Sequence, residues 1–237
     1  MTEVRYGAPS PEFSFQGLAA GEPVMCGPGL QVAFTRANDG LGHSLRLPGT
    51  HGSKTGEPIQ PVPDLVSVAP APVHDLEQAD PSRVLNPVYQ ELVRHELPMD
   101  HDPGLCLLMT GSYLEHHFSA VFRLQRDPAM PSRIVLDVDV ADRCRTPVKK
   151  LAATYQVHDC EGNPLQIDAG PHRIAWRGGR LGPGILELVA EPPAVVTRPE
   201  PHQSSVSVRV EATIDPQTFT QRLHYCWRWT SCAGLTR

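Results

Sequence analysis

The sequence predicts a mainly β protein, an antiparallel β-barrel or β-sandwich of about nine or ten strands with one short helix and Pro-rich arms. The first observation behind this is that apolar and polar residues alternate with a period of two through successive segments of the second half. The second is that turn-forming residues join these segments through connections too short for a parallel crossover. One apolar and one polar face per strand requires two packed sheets or one closed sheet.

The N-terminal third is expected to be irregular apart from one hairpin. Residues 1–28 are rich in proline and glycine and predict an irregular arm. Residues 29–47 predict a hairpin that turns at an Asn-Asp-Gly sequence. Residues 48–81 carry many prolines and little periodicity, which predicts a linker or a wrapping loop. The apolar positions of the hairpin are Leu30, Val32, Phe34, Leu45 and Leu47.

A single short helix is predicted at the start of the last region, residues 82–237. Leu85, Val88 and Leu92 recur with approximately helical spacing, and Pro98 ends the pattern. Pro87 then has to lie in the first turn, where its missing N–H is tolerated.

The rest of residues 82–237 is expected to form an antiparallel β domain. In the segment after the first apolar strand, His116 and Phe118 share the apolar face, while Glu115 and His117 face the other way. Strands are predicted at residues 105–110, 115–124, 134–140, 151–157, 174–176, 186–188, 206–214 and 223–229.

Charge and composition exclude several classes of partner. The chain has 21 Lys and Arg against 26 Asp and Glu, a net charge of −5, so it lacks the basic surface that nucleic acid requires. Its longest strongly apolar stretch is far too short to span a membrane. The 6 cysteines follow an N-terminus with no apolar signal segment, so we expect reduced thiols and a soluble, cytoplasmic protein.

One group of side chains has the donor types of a transition-metal site. His95, His101, Glu115 and His117 supply nitrogen and oxygen ligands within a short stretch of sequence. Their spacing matches no helical metal motif, so a site would need a loop histidine to fold over a strand. The alternative is that these residues are solvated and His116 is a hydrogen-bonded core histidine.

A second group consists of aromatic side chains. Tyr225, Trp227 and Trp229 share one face of the last predicted strand, and Trp176 belongs to an earlier one. Such a stripe either forms part of the core or lines a cavity for a small apolar ligand.

Two further patterns are interpreted without a catalytic role. His224 and Cys226 share a strand face, but neighbouring side chains on one face project in parallel, so a packed or partly exposed pair is expected. Asp137, Asp139 and Asp142 are interpreted as carboxylates of a solvated outer surface.

The sequence contains no phosphate loop, nucleophile elbow, zinc-finger spacing or dinucleotide fingerprint. Three hypotheses therefore stand. The first is a β-rich binding or interaction domain for a small apolar ligand or a protein partner. The second is a metal-dependent hydrolase or lyase that uses the His/Glu group. The third is a structural subunit of a larger assembly.

Overall fold

The part of the chain that the computed structural model describes contains sixteen strands, most of them with alternating apolar and polar residues. The structure describes residues 12–17, 22–37, 40–47, 66–68, 85–95, 104–145, 150–158, 166–178, 181, 183–197 and 205–231. The strands are β1 (Ser14–Gln16), β2 (Val24–Gly27), β3 (Leu30–Ala37), β4 (Gly40–Arg46), β5 (Val66–Val68), β6 (Glu91–His95), β7 (Leu105–Tyr113), β8 (His116–Asp127), β9 (Met130–Cys144), β10 (Ala152–His158), β11 (Gln166–Gly170), β12 (Arg173–Arg177), β13 (Ile185–Ala190), β14 (Val195–Thr197), β15 (Ser205–Glu211) and β16 (Thr220–Thr230).

The strands form two eight-stranded antiparallel sheets. Sheet 1 has the order β1-β2-β3-β4-β5-β10-β15-β14, and sheet 2 has the order β11-β12-β13-β16-β9-β8-β7-β6. Both sheets are open layers in the described residues, with different strands at their two edges, so no closed barrel is found there. The antiparallel β class is confirmed, and the strands are more numerous than predicted.

The apolar faces of the two sheets meet in one continuous core. Phe34 of sheet 1 meets Phe122 of sheet 2 edge-on, with ring centroids 5.5 Å apart. Tyr155 of sheet 1 meets Trp227 of sheet 2 in the same way at 5.0 Å. Aromatic pairs in this geometry are stabilising beyond the area that they bury, so they hold the two layers together.

The hairpin of β8 and β9 carries the alternation most clearly. Phe118 and Phe122 point into the core from β8, and Val138 does so from β9. Asp137 and Asp139 lie on the opposite, partly exposed face, as the sequence predicts. The predicted N-terminal hairpin is likewise present as β3 and β4.

The helix predicted between Val84 and Leu97 is wrong. Its described part is extended, and it ends in β6, which pairs with β7. Pro87 removes one backbone donor and disfavours helical dihedrals at Asn86. The backbone N–H of Gln90 donates to the carbonyl of Thr110 at 2.8 Å, and the side chain of Gln90 bonds the backbone of Ser112. Pairing with the edge of sheet 2 therefore overrides the partial helical stripe.

The expected irregular segments also contain strands. β1 and β2 lie within residues 1–28, where Met25 is fully buried against the core. β5 lies within residues 48–81 and pairs with β4 and β10. The remainder of residues 48–81 lies outside the described residues. In the described part of the chain we find no helix able to cross a membrane.

Candidate functional site

Two of the four residues predicted to bind a metal lie beside one cleft. Glu115 and His117 contribute to a cleft of about 760 Å³ at the turn between β7 and β8. The strand pairing places His95 at a different position along β7, away from this cleft. Among the residues that the structure describes, the others that line this cleft are Arg143, Cys144, Arg145 and Phe219.

The distance of His95 from this cleft follows from register. His95 pairs with Cys106 on β7, whereas His117 pairs with Ser112 on the same strand. Six residues along a strand correspond to about 20 Å. The structure therefore does not bring His95 together with His117. His101 lies outside the described residues.

The four aromatic residues predicted to be core or cavity lining lie between the sheets. Trp176 and Trp227 have no exposed surface, and their rings stack with centroids 5.6 Å apart. Tyr225 and Trp229 are buried beside them on β16. All four belong to the continuous core.

Next to this stripe the core contains a buried polar chain, His43–Tyr155–Tyr225. The Nε2 atom of His43 lies 3.0 Å from the Tyr155 hydroxyl, which lies 2.5 Å from the Tyr225 hydroxyl. The Nδ1 atom of His43 has no hydrogen-bond partner in the described part of the chain. Burial lowers the pKa of His43 to about 3, so this imidazole is neutral at neutral pH. Burial also raises the pKa of both tyrosines.

A second inward-facing polar group lies where β8 begins and β9 ends. His116, Asp142 and Cys144 place one ligand atom each within 4.8 Å of one another, and we call them the His116 cluster. The Nδ1 atom of His116 lies 2.9 Å from one carboxylate oxygen of Asp142 and 3.2 Å from the other. His116 is therefore a hydrogen-bonded histidine at the margin of the core, close to the core position that the sequence suggests for it.

The interpretation of Asp142 as a solvated outer carboxylate is wrong. Asp142 has no exposed surface and Cys144 is 4% exposed, because both continue the inward face of β9. Burial raises the pKa of the Asp142 carboxyl, and the hydrogen bond from His116 opposes that rise. The His116 ring stacks on Phe118, and the Cys144 backbone N–H donates to the carbonyl of Phe219. These contacts fix the ring plane and the strand end.

The outer face of sheet 2 holds a different site, which we call the His224 cleft. It has a volume of about 480 Å³. The Nε2 atom of His224 lies 2.7 Å from a carboxylate oxygen of Asp137, and its Nδ1 atom contacts Glu191. Both contacts are hydrogen bonds at once only when both ring nitrogens carry protons. The cleft is lined by Gln125, Asp127, Pro128, Val135, Asp137, Val189, Ala190, Glu191, Pro192, His224, Tyr225, Cys226 and Arg228.

Cys226 and Arg228 lie on the same strand face of this cleft. Burial raises the pKa of the Cys226 thiol, and Arg228 opposes the rise. His224 and Cys226 are both partly exposed on this face, and no hydrogen bond joins them in the described residues. The described cysteines, Cys26, Cys106, Cys144 and Cys226, form no disulfide.

Arg228 lacks a carboxylate partner within the described part of the chain. Glu187 lies directly across from it on β13. The Glu187 carboxylate instead accepts from Arg173 at 2.8 Å. Arg228 therefore lines the cleft without an ion pair to any residue that the structure describes.

No protein-family model and no curated protein matches this chain.

Proposed function

We propose that this protein is a binding protein that takes a small charged ligand in the His224 cleft. The ligand carries an anionic group that pairs with Arg228 and a cationic or hydrogen-bond-donating group that faces Asp137 and Glu191. The single observation that carries the proposal is Arg228, which lines the cleft without an ion-pair partner in the described residues. Its guanidinium group is suited to bidentate recognition of a carboxylate or phosphate.

The size and polarity of the cleft support this assignment. A volume of about 480 Å³ lies within the range of small-molecule sites, about 300–1,000 Å³. Val135, Val189 and Ala190 provide apolar surface, while charged side chains supply a few fixed polar contacts. Sites of this kind bury most of the ligand and orient it through a small number of polar groups.

The distribution of charge narrows the ligand class. Asp137 and Glu191 lie on either side of His224, so this part of the cleft favours a donor or a positive charge. Arg228 lies two strand positions beyond Cys226, on the same face of β16. Opposite charges at two places in one cleft fit a small zwitterion, the chemistry of an amino acid.

Ligand-induced stabilisation tests the proposal. A panel of amino acids, dicarboxylates and diamines would be compared by thermal unfolding of the full chain, followed by calorimetric titration of each compound that stabilises it. At a concentration of about 100 times Kd, a ligand stabilises the folded state by about 2.7 kcal/mol, which corresponds to a rise in Tm of about 5–10 °C. We expect amino acids to give this rise and diamines to give none.

Two arginine variants assign the effect to the cleft. Arg228→Gln is expected to weaken binding at least tenfold, because it removes a charge-assisted pair of about 1.5–3 kcal/mol. The matched control is Arg177→Gln, an exposed arginine of sheet 2 outside the cleft. Equal binding by both variants, or a panel without any stabilising compound, would reject the proposed function.

A further inference from the structure

We propose that His116, Asp142 and Cys144 bind one Zn²⁺ ion, at a site separate from the His224 cleft and independent of the function proposed for it. The three side chains belong to two neighbouring strands and present imidazole nitrogen, carboxylate oxygen and thiol sulfur within 4.8 Å of one another. This mixture suits zinc, which accepts all three donor types, whereas calcium and magnesium prefer oxygen alone.

The strand register preorganises the three ligands. His116 pairs directly with Cys144, and Asp142 pairs with Phe118, at the end of the antiparallel ladder away from its register shift at Arg126 and Asp127. Asp142 and Cys144 are two residues apart, so their side chains project from the same face of β9. The site therefore needs no loop to fold over the sheet, unlike the group predicted from the sequence.

The distances are compatible with tetrahedral coordination after a small adjustment. Zinc bonds of about 2.0–2.2 Å to nitrogen and oxygen and about 2.3 Å to sulfur place neighbouring ligand atoms about 3.3–3.6 Å apart. The distance from His116 to Asp142 is 2.9 Å, so it has to open by only about 0.4 Å when zinc replaces the shared proton. The thiol lies within 4.8 Å and reaches the ion by a side-chain rotation.

The buried carboxylate is the second observation that indicates a cation. Asp142 is fully buried, and its hydrogen bonds come from His116 alone in the described residues. A buried charge is stabilised when it is paired or coordinates a metal. Zinc compensates the Asp142 carboxylate and a Cys144 thiolate together, which one imidazole cannot do.

A cleft adjoins the three ligands and could give access to the fourth coordination position of the zinc ion. Cys144 also lines the cleft of about 760 Å³ that contains Glu115 and His117. Arg143 and Arg145 line the same cleft. Three protein ligands with an accessible fourth position are typical of zinc sites that exchange water for another ligand.

Metal substitution provides the test. The full chain, without a polyhistidine tag, would be stripped with chelator under reducing conditions and then titrated with Zn²⁺ or Co²⁺. We expect one ion per chain to be retained against a competing chelator. With Co²⁺ we expect a thiolate-to-metal charge-transfer band and the strong visible absorption of tetrahedral cobalt.

Matched variants distinguish the site from adventitious binding by surface histidines. Cys144→Ser is expected to abolish the charge-transfer band and weaken zinc binding by at least about tenfold. Cys106→Ser changes another buried cysteine of sheet 2 and is expected to leave both unchanged. His116→Gln and Asp142→Asn are expected to weaken binding while circular dichroism shows an intact β fold. Failure of the wild type to retain stoichiometric metal, or a charge-transfer band that survives in Cys144→Ser, would overturn the proposal.

Discussion

Acid should destabilise this protein through His43, a buried histidine that the fold keeps neutral. Burial lowers its pKa in the folded state to about 3 from an ordinary value of 6.5. The rings around it are Phe34, Phe122 and Tyr155, at centroid distances of 6.2, 4.8 and 5.5 Å. None of these side chains carries a negative charge that could stabilise an imidazolium, so protonation of His43 in the folded protein is strongly disfavoured.

The sign and size of the effect follow from proton linkage. Below pH 6.5 the unfolded chain protonates His43 while the folded protein does not, so the unfolded state gains free energy as the pH falls. The free energy of unfolding then decreases by about 1.4 kcal/mol per pH unit between about pH 6.5 and about pH 3. At pH 4.5 the loss attributable to His43 is about 2–3 kcal/mol, a large part of the stability of a typical domain.

Urea unfolding of the wild type and His43→Gln at pH 7.0 and 4.5 measures this contribution. Glutamine does not titrate but retains a group that can bond the Tyr155 hydroxyl. All other titrating groups are common to both proteins, so the difference between the two pH-dependent losses isolates His43. We expect the variant to lose about 2–3 kcal/mol less than the wild type. His43→Phe should behave in the same way, and equal losses in all three proteins would refute the argument.

Two further predictions concern the core. Tyr155→Phe should lower the free energy of unfolding by about 2–5 kcal/mol, because it leaves both the His43 ring and the Tyr225 hydroxyl without their partner. Tyr225→Phe should lower it by only about 0.5–1.5 kcal/mol. Urea unfolding of both variants measures the two losses, and a larger loss for Tyr225→Phe would contradict the chain of hydrogen bonds. Gly184→Ala should lower Tm by more than 5 °C, because a Cβ atom at this position would lie 1.9 Å from the Trp229 ring and overpacking of this kind costs about 1–3 kcal/mol or more. Gly170→Ala is the control. The nearest atom to its Cβ is 3.8 Å away, so this variant should keep Tm within about 2 °C of the wild type.

The period of two predicted most strands because it reflects the geometry of a strand directly. Phe118 and Phe122 point inward and Asp137 and Asp139 outward because successive side chains project to opposite faces. The order of strands and the choice of two open sheets depend on contacts between residues far apart in the chain. The alternation contains no information about them, so barrel and sandwich were equivalent predictions.

The helix that was predicted wrongly, around Leu85 to Leu92, shows a place where tertiary contacts override the local sequence pattern. Leu85, Val88 and Leu92 have nearly helical spacing, but each can also cover the edge of a sheet from an extended chain. The deciding contacts are the hydrogen bonds that the backbone and the side chain of Gln90 form with β7, which no local pattern encodes. Pro87 was the available signal, because proline disfavours helix at the preceding residue.

Part of the His116 cluster was readable from the sequence by the same period of two. Asp142 is an even number of residues from Ile134 and Val138, and His116 has that relation to Phe118, so both share faces with core residues. Interpreting Asp142 together with Asp137 and Asp139 as one acidic surface ignored that parity. The pairing of His116 with Cys144 came only with the register of β8 and β9.

Cross-strand neighbours, and not residue type, determine what the two inward histidines do. Burial keeps the His43 imidazole uncharged, and its hydrogen-bond partner Tyr155, in the same sheet, bonds Tyr225 of the opposite sheet. His116 meets the carboxylate of Asp142 and the thiol of Cys144, which together are ligands for a cation. A shift of one residue in the pairing of β8 with β9 would place His116 on the opposite face of the sheet from Asp142 and Cys144, so the three side chains would no longer meet. The register of this hairpin is therefore the structural feature on which the proposed metal site depends.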